Sequence, residues 1–281
     1  MMAGIMATQI LKALLIVLAL FQLAPAQAST AANSLTEPSA HLTDFQVIEL
    51  RRYTVKDGAR KNFAQYFEAY FPEAIEQTGA IVAGSFFERN HPNGFTWIRG
   101  FHTLEDRPVA DAEFYYGPVW REHRKTMNDL LTDSDNVLQL RPLSPGREIT
   151  ILPAVDPLVE PDGARGIIVA FIYPIKANSV EAFAKQAEST FARYQAAGAR
   201  EAGVLVTLDA TNNFPQLPIR TDGPYLVWLG LLRDNQTLER ELTPVVENSI
   251  SSLTATGLLR GAPEFIVLDP TPRSRLRWLP Q

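Results

Sequence analysis

Three polar residues, Glu49, Arg51 and Tyr53, alternate with the apolar residues Ile48 and Leu50 in the segment FQVIELRRYTV. The alternation and the β-forming residue types predict a strand. Side chains alternate across a strand, so the three polar groups are predicted to share one face. A carboxylate next to a guanidinium group on one face can bind an anion or a carbonyl oxygen, or it can form a structural ion pair.

A second predicted strand, GFTWIRGFHT, places Trp97, Arg99 and Phe101 on one face. If Arg99 faces the same way as Glu49, the sheet carries a carboxylate flanked by guanidinium groups, and Arg141 on a later strand could join them. A buried carboxylate needs such partners because an unpaired one is very costly. Two interpretations remain open: an ion-pair network that pins two sheets together, or a site for an anion or carbonyl group.

The segment FYYGPVWREH is rich in aromatic side chains, and Tyr116, Trp120 and His123 follow one another at helical spacing. They are predicted to line one side of a cleft. Histidine is the residue type whose side chain suits general acid or base catalysis at neutral pH, so His123 is a candidate and His102 is a second one. The alternative is that the aromatic residues belong to the core and that the histidines are structural.

The loop TNNFPQLPIRTDGP at residues 211–224 is long for a hairpin connection and rich in proline and asparagine. Long ordered loops often carry function. We expect Asn212, Asn213 and Arg220 to close over the cleft of the first half, with a plug at the barrel end as the alternative.

The elements that position these residues occur in the order β-α-β-β-α-β, and that order appears twice. The first pass covers residues 44–143 and the second covers residues 165–272, joined by a proline-rich linker at 144–164 and followed by a tail at 273–281. Strands of the second pass are apolar on both faces, so both faces must be covered. The predicted fold is therefore α+β: two tandem ferredoxin-like domains whose sheets form a dimeric α/β-barrel within one chain.

The N-terminal residues have the pattern of a secretory signal peptide. Lys12 precedes an apolar run at residues 13–24, and Pro25 and the sequence Ala26-Gln27-Ala28 follow it. The run is shorter than the ~20 residues that span a bilayer. We therefore predict a cleaved signal at residues 1–28, a leader at 29–43, and an exported protein that is periplasmic or secreted, without a stable membrane anchor.

Composition excludes several classes of function. The formal net charge is −5 and basic residues do not cluster, which argues against nucleic acid as a partner. The chain has no cysteine and four histidines, and their spacing matches no metal site, so we expect neither a metal nor a cofactor. No phosphate-binding glycine loop or catalytic serine motif is present.

Several segments resemble the NIPSNAP family. They are VIELRRYTVKDGARKNF, WIRGFHTLEDR, FYYGPVWREHRKTMND and DNVLQLRP in the first half, with NNFPQLPIR resembling a loop of bacterial two-domain members. The spacing of Trp97, Arg99, Phe101, Arg107 and Trp120 carries the resemblance. It implies a dimeric α/β-barrel fold, which allows a homo-oligomer. It implies little about activity, because this fold supports enzymes, haem proteins and simple binders.

Three functional hypotheses follow. In the first, the chain is a cofactor-independent enzyme for a small aromatic or carbonyl-bearing molecule. Arg51 and Arg99 would stabilise negative charge, and His123 or Glu49 would move a proton. In the second, the same pocket belongs to a non-catalytic ligand-binding or protein-interaction module. In the third, His123 or His102 is the axial ligand of a haem.

Overall fold

The computed structural model describes residues 45–279. The signal peptide predicted at residues 1–28 and the leader predicted at 29–43 lie outside these residues. Among residues 45–279, no helix is both long enough and apolar enough to cross a membrane.

Eight strands and six α-helices make up the described chain. The first half contains β1 (Val47–Val55), α1 (Arg60–Tyr70), α2 (Pro72–Glu76), β2 (Ile81–Glu88), β3 (Gly94–Phe101), α3 (Asp106–Tyr115), α4 (Pro118–Leu130) and β4 (Leu131–Pro142). The second half contains β5 (Ile167–Pro174), α5 (Val180–Ala196), β6 (Arg200–Thr207), β7 (Tyr225–Leu232), a π-helical segment (Thr237–Leu242), α6 (Thr243–Ala255) and β8 (Glu264–Pro270).

Two prolines set helix boundaries in the first half. Pro72 is the first residue of α2 and Pro118 is the first residue of α4. Proline suits the first helical position because its missing N–H has no partner there in any case. A break just before Pro118 separates α3 from α4. The fourth strand begins directly after α4, at Leu131.

The strands close into one barrel with the order β1-β3-β2-β8-β5-β7-β6-β4. Each half contributes four neighbouring strands, and two antiparallel seams, β2 with β8 and β4 with β6, join the halves. Three residue pairs are in register at each seam. The predicted fold, tandem ferredoxin-like units in a single-chain α/β-barrel, is confirmed.

Side-chain alternation divides the strands between two environments. Ile48 and Leu50 of β1 point into the barrel, where they pack with Ile98, Ile168 and Leu229 of other strands. This interior is apolar from both halves, which explains why the second-half strands are apolar on both faces.

The helices cover the outside of the barrel and form two separate cores. In the second half, aromatic residues such as Phe171, Tyr194 and Trp228 fill the space between the sheet and helices α5 and α6. In the first half, Phe67 of α1, Trp97 of β3 and other aromatic residues fill the space between the sheet and helices α1 to α4. The polar face of β1 is on this first-half helical side.

The segments outside the repeats also belong to the packed body. Ile149 and Ile151 of the 144–164 segment and Leu276 of the tail are buried in the barrel core. Arg277 donates to Glu160 at 2.6 Å, which joins the tail to that segment. These contacts tie the described part of the tail to the barrel.

Candidate functional site

Glu49 lies at the centre of the polar face of β1. Its neighbours in register are Arg99 on β3 and Gln139 on β4, and all three are buried. Direct cross-strand neighbours share a face, so the sheet itself brings these side chains together. Arg99 therefore faces the same way as Glu49, which is the condition under which the sequence predicted a carboxylate flanked by guanidinium groups.

Three guanidinium groups share the carboxylate of Glu49. Arg51 Nη1 donates to Oε2 at 2.5 Å, and Arg99 Nε donates to the same oxygen at 2.7 Å. Arg107 Nε donates to Oε1 at 2.6 Å. All four side chains are at most 2% exposed.

Arg107 and Asp111 come from α3, which lies over the sheet. They are one helical turn apart, and with Ala110 and Phe114 they form the buried stripe of that helix. The Arg99 Nη1 to Asp111 Oδ1 distance is 2.7 Å. Neither carboxyl oxygen of Asp111 accepts a hydrogen bond within residues 45–279, so this contact is an ion pair without a hydrogen bond. The network therefore joins a sheet to a helix. It does not pin two sheets together, as the ion-pair interpretation of the sequence proposed.

The two carboxyl groups of this cluster titrate in opposite directions. Burial by itself would raise the pKa of Glu49, but Arg99, Arg51 and Arg107 hold that pKa well below its usual range. Burial raises the pKa of Asp111, and the attraction of Arg99 does not fully offset it, because Glu49 opposes ionisation. Glu49 is thus firmly ionised, while Asp111 is the weaker counter-charge.

A cavity of about 510 Å³ opens between the first-half sheet and its helices. Arg51 and Tyr53 of β1 and Trp97 of β3 form part of its lining, together with Phe67 and Phe114. Arg51 donates from Nε to the Tyr53 hydroxyl at 2.9 Å, so its orientation is fixed from two sides. The volume lies within the range of small-molecule sites, and the lining has their usual aromatic character.

Helix α4 lines the cavity with a stripe at helical spacing. Trp120 and Met127 are on its inner part, and Arg124 and Asn128 are exposed at the mouth. Tyr116 also lines the cavity and is 61% exposed, which places it at the mouth. The predicted cleft side is therefore present at Tyr116 and Trp120, with Met127 as a member that the aromatic pattern missed.

His123 is next to this stripe on α4 but does not line the cavity. Its Nδ1 is 2.7 Å from the Tyr66 hydroxyl, and its ring stacks on Tyr70 at a centroid distance of 3.9 Å. Neither His123 nor His102 is among the cavity-lining residues, and His102 stacks on Phe45 instead. The proposed placement of His123 in the cleft was wrong. Neither of the two histidines proposed as axial ligands of a haem lines this cavity.

The 211–224 loop from the second half closes one side of the first-half cavity. Asn212 and Asn213 each accept a hydrogen bond from Arg107 Nη1 at 3.0 Å. Phe214 and Leu217 line the cavity, and the Phe214 ring lies 6.4 Å from that of Tyr115. The loop is thus anchored to the buried charged cluster around Glu49 (Glu49, Arg51, Arg99, Arg107 and Asp111, called the Glu49 cluster) and covers the cavity. This agrees with the expectation that Asn212 and Asn213 close over the cleft.

Two arginines predicted for the site lie outside it. Arg220 forms an ion pair with Asp222 at 2.8 Å and contacts Tyr225, so it stabilises its own loop and does not line the cavity. Arg141 is exposed and donates to the Pro142 carbonyl at 2.9 Å. It lies two residues beyond Gln139, which takes the position beside Glu49.

Several buried polar atoms around Glu49 have no hydrogen-bond partner within residues 45–279. They are Nε1 of Trp97, Nη2 of Arg99 and Arg107, and both side-chain amide atoms of Gln139. Unpartnered buried polar atoms are uncommon, and they concentrate where a ligand or ordered water completes the bonding. In the same described part of the chain, no cluster of His, Asp or Glu side chains is arranged to hold a metal ion.

Sequence reasoning missed Asp111 and Gln139, and it named Arg107 only as one of the residues that carry the family resemblance. The signal for the α3 pair was available. Arg107 and Asp111 share a helical stripe with Ala110 and Phe114, so two charged residues occupy an otherwise apolar face.

Comparison with solved structures places the fold. An anthrone oxidase-like protein aligns over 81% of this chain and 92% of its own, with a TM-score of 0.53 and 11% identity. A monooxygenase-like protein from Lactobacillus acidophilus NCFM aligns over 80% and 94%, with a TM-score of 0.51 and 14% identity. This chain is a dimeric α/β-barrel built from one polypeptide. At these identities the likeness shows the fold alone.

The structural neighbours of this single-chain barrel also include NIPSNAP family proteins, as the sequence resemblance predicted. A NIPSNAP-like domain protein from Burkholderia xenovorans is 29% identical over 39% of this chain and 93% of its own, with a TM-score of 0.32. No protein-family model and no curated protein sequence matches the chain.

Proposed function

We propose that this protein binds a small aromatic or carbonyl-bearing molecule in the first-half cavity, with a polar oxygen of that molecule at Arg51. The observation that carries the proposal is a buried guanidinium group in the lining of an otherwise largely aromatic cavity. An apolar pocket with a few fixed polar groups is the usual form of a small-molecule site.

Arg51 is held in a way that suits recognition. Its guanidinium group contacts Glu49 and Tyr53 and lies 5.4 Å from the centroid of the Trp97 ring. A cation fixed in place by the protein loses little conformational freedom when a ligand binds. The site would therefore be preorganised for a ligand oxygen.

Conversion of the ligand without a cofactor is the catalytic form of this proposal. In that form Arg51, supported by Arg99 through Glu49, stabilises negative charge that develops on a ligand oxygen. Glu49 is a poor proton acceptor because three guanidinium groups hold it ionised. Electrostatic stabilisation, not proton transfer by Glu49 or His123, is thus the contribution this geometry favours.

The alternative is a non-catalytic ligand-binding module. It is favoured by one observation: within residues 45–279, the cavity lining contains no histidine, and its one carboxylate, Asp135, is exposed at the mouth. Export to the periplasm or the medium is a separate proposal, supported by the N-terminal signal pattern.

The first experiment is a binding screen by isothermal titration calorimetry and tryptophan fluorescence. The panel contains aromatic ketones, including anthrone-type ketones because one fold neighbour is anthrone oxidase-like, together with phenols and aromatic acids. We expect at least one class to bind with micromolar affinity and to quench tryptophan fluorescence, since Trp97 and Trp120 line the cavity. Consumption of a bound ligand, followed by chromatography, would separate the catalytic form from the binding module.

The matched variants are Arg51→Met and Arg52→Met. The two arginines are neighbours on β1, but Arg52 pairs with Glu88 and Glu264, away from the cavity. Binding should weaken at least tenfold in Arg51→Met and stay unchanged in Arg52→Met. Equal affinity in both variants, or no binding by any class in the panel, would overturn the proposal.

A further inference from the structure

The buried cluster beneath the cavity carries more positive than negative charge. Three guanidinium groups, those of Arg51, Arg99 and Arg107, face two carboxyl groups, those of Glu49 and Asp111, and all five side chains are at most 2% exposed. One positive charge is therefore uncompensated even when both carboxyl groups are ionised. A buried charge without a partner is strongly unfavourable.

Asp111 cannot make up the difference. It contacts Arg99 at 2.7 Å and Arg107 at 3.8 Å, but neither Oδ atom forms a well-directed hydrogen bond. Burial raises its pKa, so it is the carboxyl group of the cluster that more readily becomes neutral. Any protonation of Asp111 increases the positive excess.

Within residues 45–279, no other element packed around the cavity supplies the missing negative charge. Helices α1 and α2 contribute only apolar side chains to the lining, and the 211–224 loop contributes no charged one. Helix α3 contributes Tyr115, and burial raises the pKa of that phenol, which keeps it neutral. At the mouth, Arg124 and Asp135 are both exposed and of opposite sign.

Two cavity-lining residues, Arg51 and Trp97, each keep an N–H donor that forms no hydrogen bond within residues 45–279. Arg51 uses Nε and Nη1 for Tyr53 and Glu49, and neither bond involves Nη2. Trp97 is the register partner of Arg51, and its buried Nε1 has no hydrogen-bond partner within the described chain. A carboxylate has two oxygens and accepts hydrogen bonds from adjacent donors of this kind.

We propose that the ligand is a monoanion, an aromatic carboxylate whose two oxygens bind Arg51 and Trp97 while its ring lies among the aromatic side chains of the cavity. This inference rests on the proposed binding function and narrows it to one charge class. The carboxylate completes the charge balance of the cluster and the bonding of the free donors in one step.

The test compares matched acids and amides. Benzoate, 2-naphthoate and anthracene-2-carboxylate are each titrated against the full chain beside the corresponding primary amide, at pH 7 and low chloride. The amide keeps the ring and a carbonyl oxygen but lacks the charge. We expect at least one acid to bind at least tenfold more tightly than its amide, with affinity falling as salt is added.

Two variants assign the preference to the donors. Arg51→Met should abolish the preference for the acid. Trp97→Phe, which keeps one aromatic ring but removes the Nε1 donor together with part of the indole, should reduce it about threefold or more. Arg52→Met should keep the full preference. Circular dichroism and thermal melts show whether each variant is folded. If Arg51→Met does not fold, the acid preference of Trp97→Phe still tests the proposal.

The outcomes are distinguishable. An amide that binds as tightly as its acid would overturn the monoanion while leaving the proposed binding function intact. If no acid, amide, aromatic ketone or phenol binds, both the monoanion proposal and the proposed binding function are overturned. Chloride is the third case. If millimolar chloride stabilises the protein and removes the preference for the acid over its amide, an inorganic ion compensates the excess positive charge, and the proposal is overturned.

Discussion

Glu49 and Arg107 join the sheet to the helix above it through a 2.6 Å hydrogen bond between two fully buried side chains. Arg107 also donates to Asn212 and Asn213, so one guanidinium group links β1, α3 and the loop from the other half of the chain. The geometry of the cavity therefore depends on this charged pair as well as on apolar packing.

Removal of the Glu49 charge should be strongly destabilising. Glu49→Gln preserves the size of the side chain but leaves three buried guanidinium groups facing Asp111 alone. We expect the free energy of unfolding, measured by urea denaturation, to fall by about 3–5 kcal/mol, the usual cost of breaking a buried ion pair. Glu73→Gln, which removes one partner of the exposed pair with Arg273, should cost at most about 1 kcal/mol. Similar losses in both variants would contradict a structural role for the Glu49 cluster.

The protein should lose stability at low pH, and the protonation of Glu49 should account for most of that loss. The pKa of Glu49 is lowered in the folded state, so its contribution to stability is present above the unfolded value of roughly 4.3 and is lost as the pH falls further. The pKa of Asp111 is raised, so its contribution has the opposite sign: stability falls as the pH rises from about 3.9 through the folded pKa.

Urea denaturation as a function of pH can separate the two groups. Glu49→Gln should flatten the loss of stability below about pH 4.3, while Asp111→Asn should remove the opposing slope just above about pH 3.9. A Glu49→Gln variant with the acid slope of the wild type would show that Glu49 does not control that transition.

The 211–224 loop should control ligand residence. Phe214 is 7% exposed and lines the cavity beside Tyr115. Phe214→Ala should accelerate ligand dissociation about tenfold in stopped-flow fluorescence, because the cavity loses part of its cover. Phe265→Ala is the control: Phe265 stacks on Phe171 in the second half and does not line the cavity. Equal dissociation rates in the two variants would argue against a covering role for the loop.

His123 should be dispensable for binding. It contacts Tyr66 and Tyr70 outside the cavity, so His123→Ala should lower the free energy of unfolding by about 0.5–1.5 kcal/mol, the net value of a hydrogen bond. Ligand affinity by calorimetry should change less than twofold. Trp120→Ala, one helical turn earlier on the cavity side, should weaken binding and so confirm that the assay detects losses on this helix.

Much of this fold can be predicted from the alternation of side chains along the strands and from the turn residues between the elements. Apolar residues on both faces of the second-half strands required two covering layers, and the closed barrel supplies the inner one. Alternation also placed Glu49, Arg51 and Tyr53 on one face, and the register with β3 then brings Arg99 beside Glu49. These predictions depend only on a period of two residues, which local sequence determines.

The errors concern features that local sequence does not determine. Helical spacing makes Trp120 and His123 neighbours, but it does not decide which of them faces the sheet and which faces α1. Strand parity put Arg141 on the correct face, but the register placed Gln139 beside Glu49. Asp111 joined the cluster through the approach of α3 to the sheet, a tertiary relationship.

The closure of the barrel within one polypeptide lets its two halves differ. In a barrel made by two identical subunits, every substitution is duplicated, so a charged cluster under one set of helices recurs under the other. Here the first half carries the Glu49 cluster and its cavity, while the corresponding space under α5 and α6 is filled by aromatic side chains. Each chain is thus expected to bind one ligand molecule through this site, and the second half is free to specialise as scaffold and as the source of the covering loop.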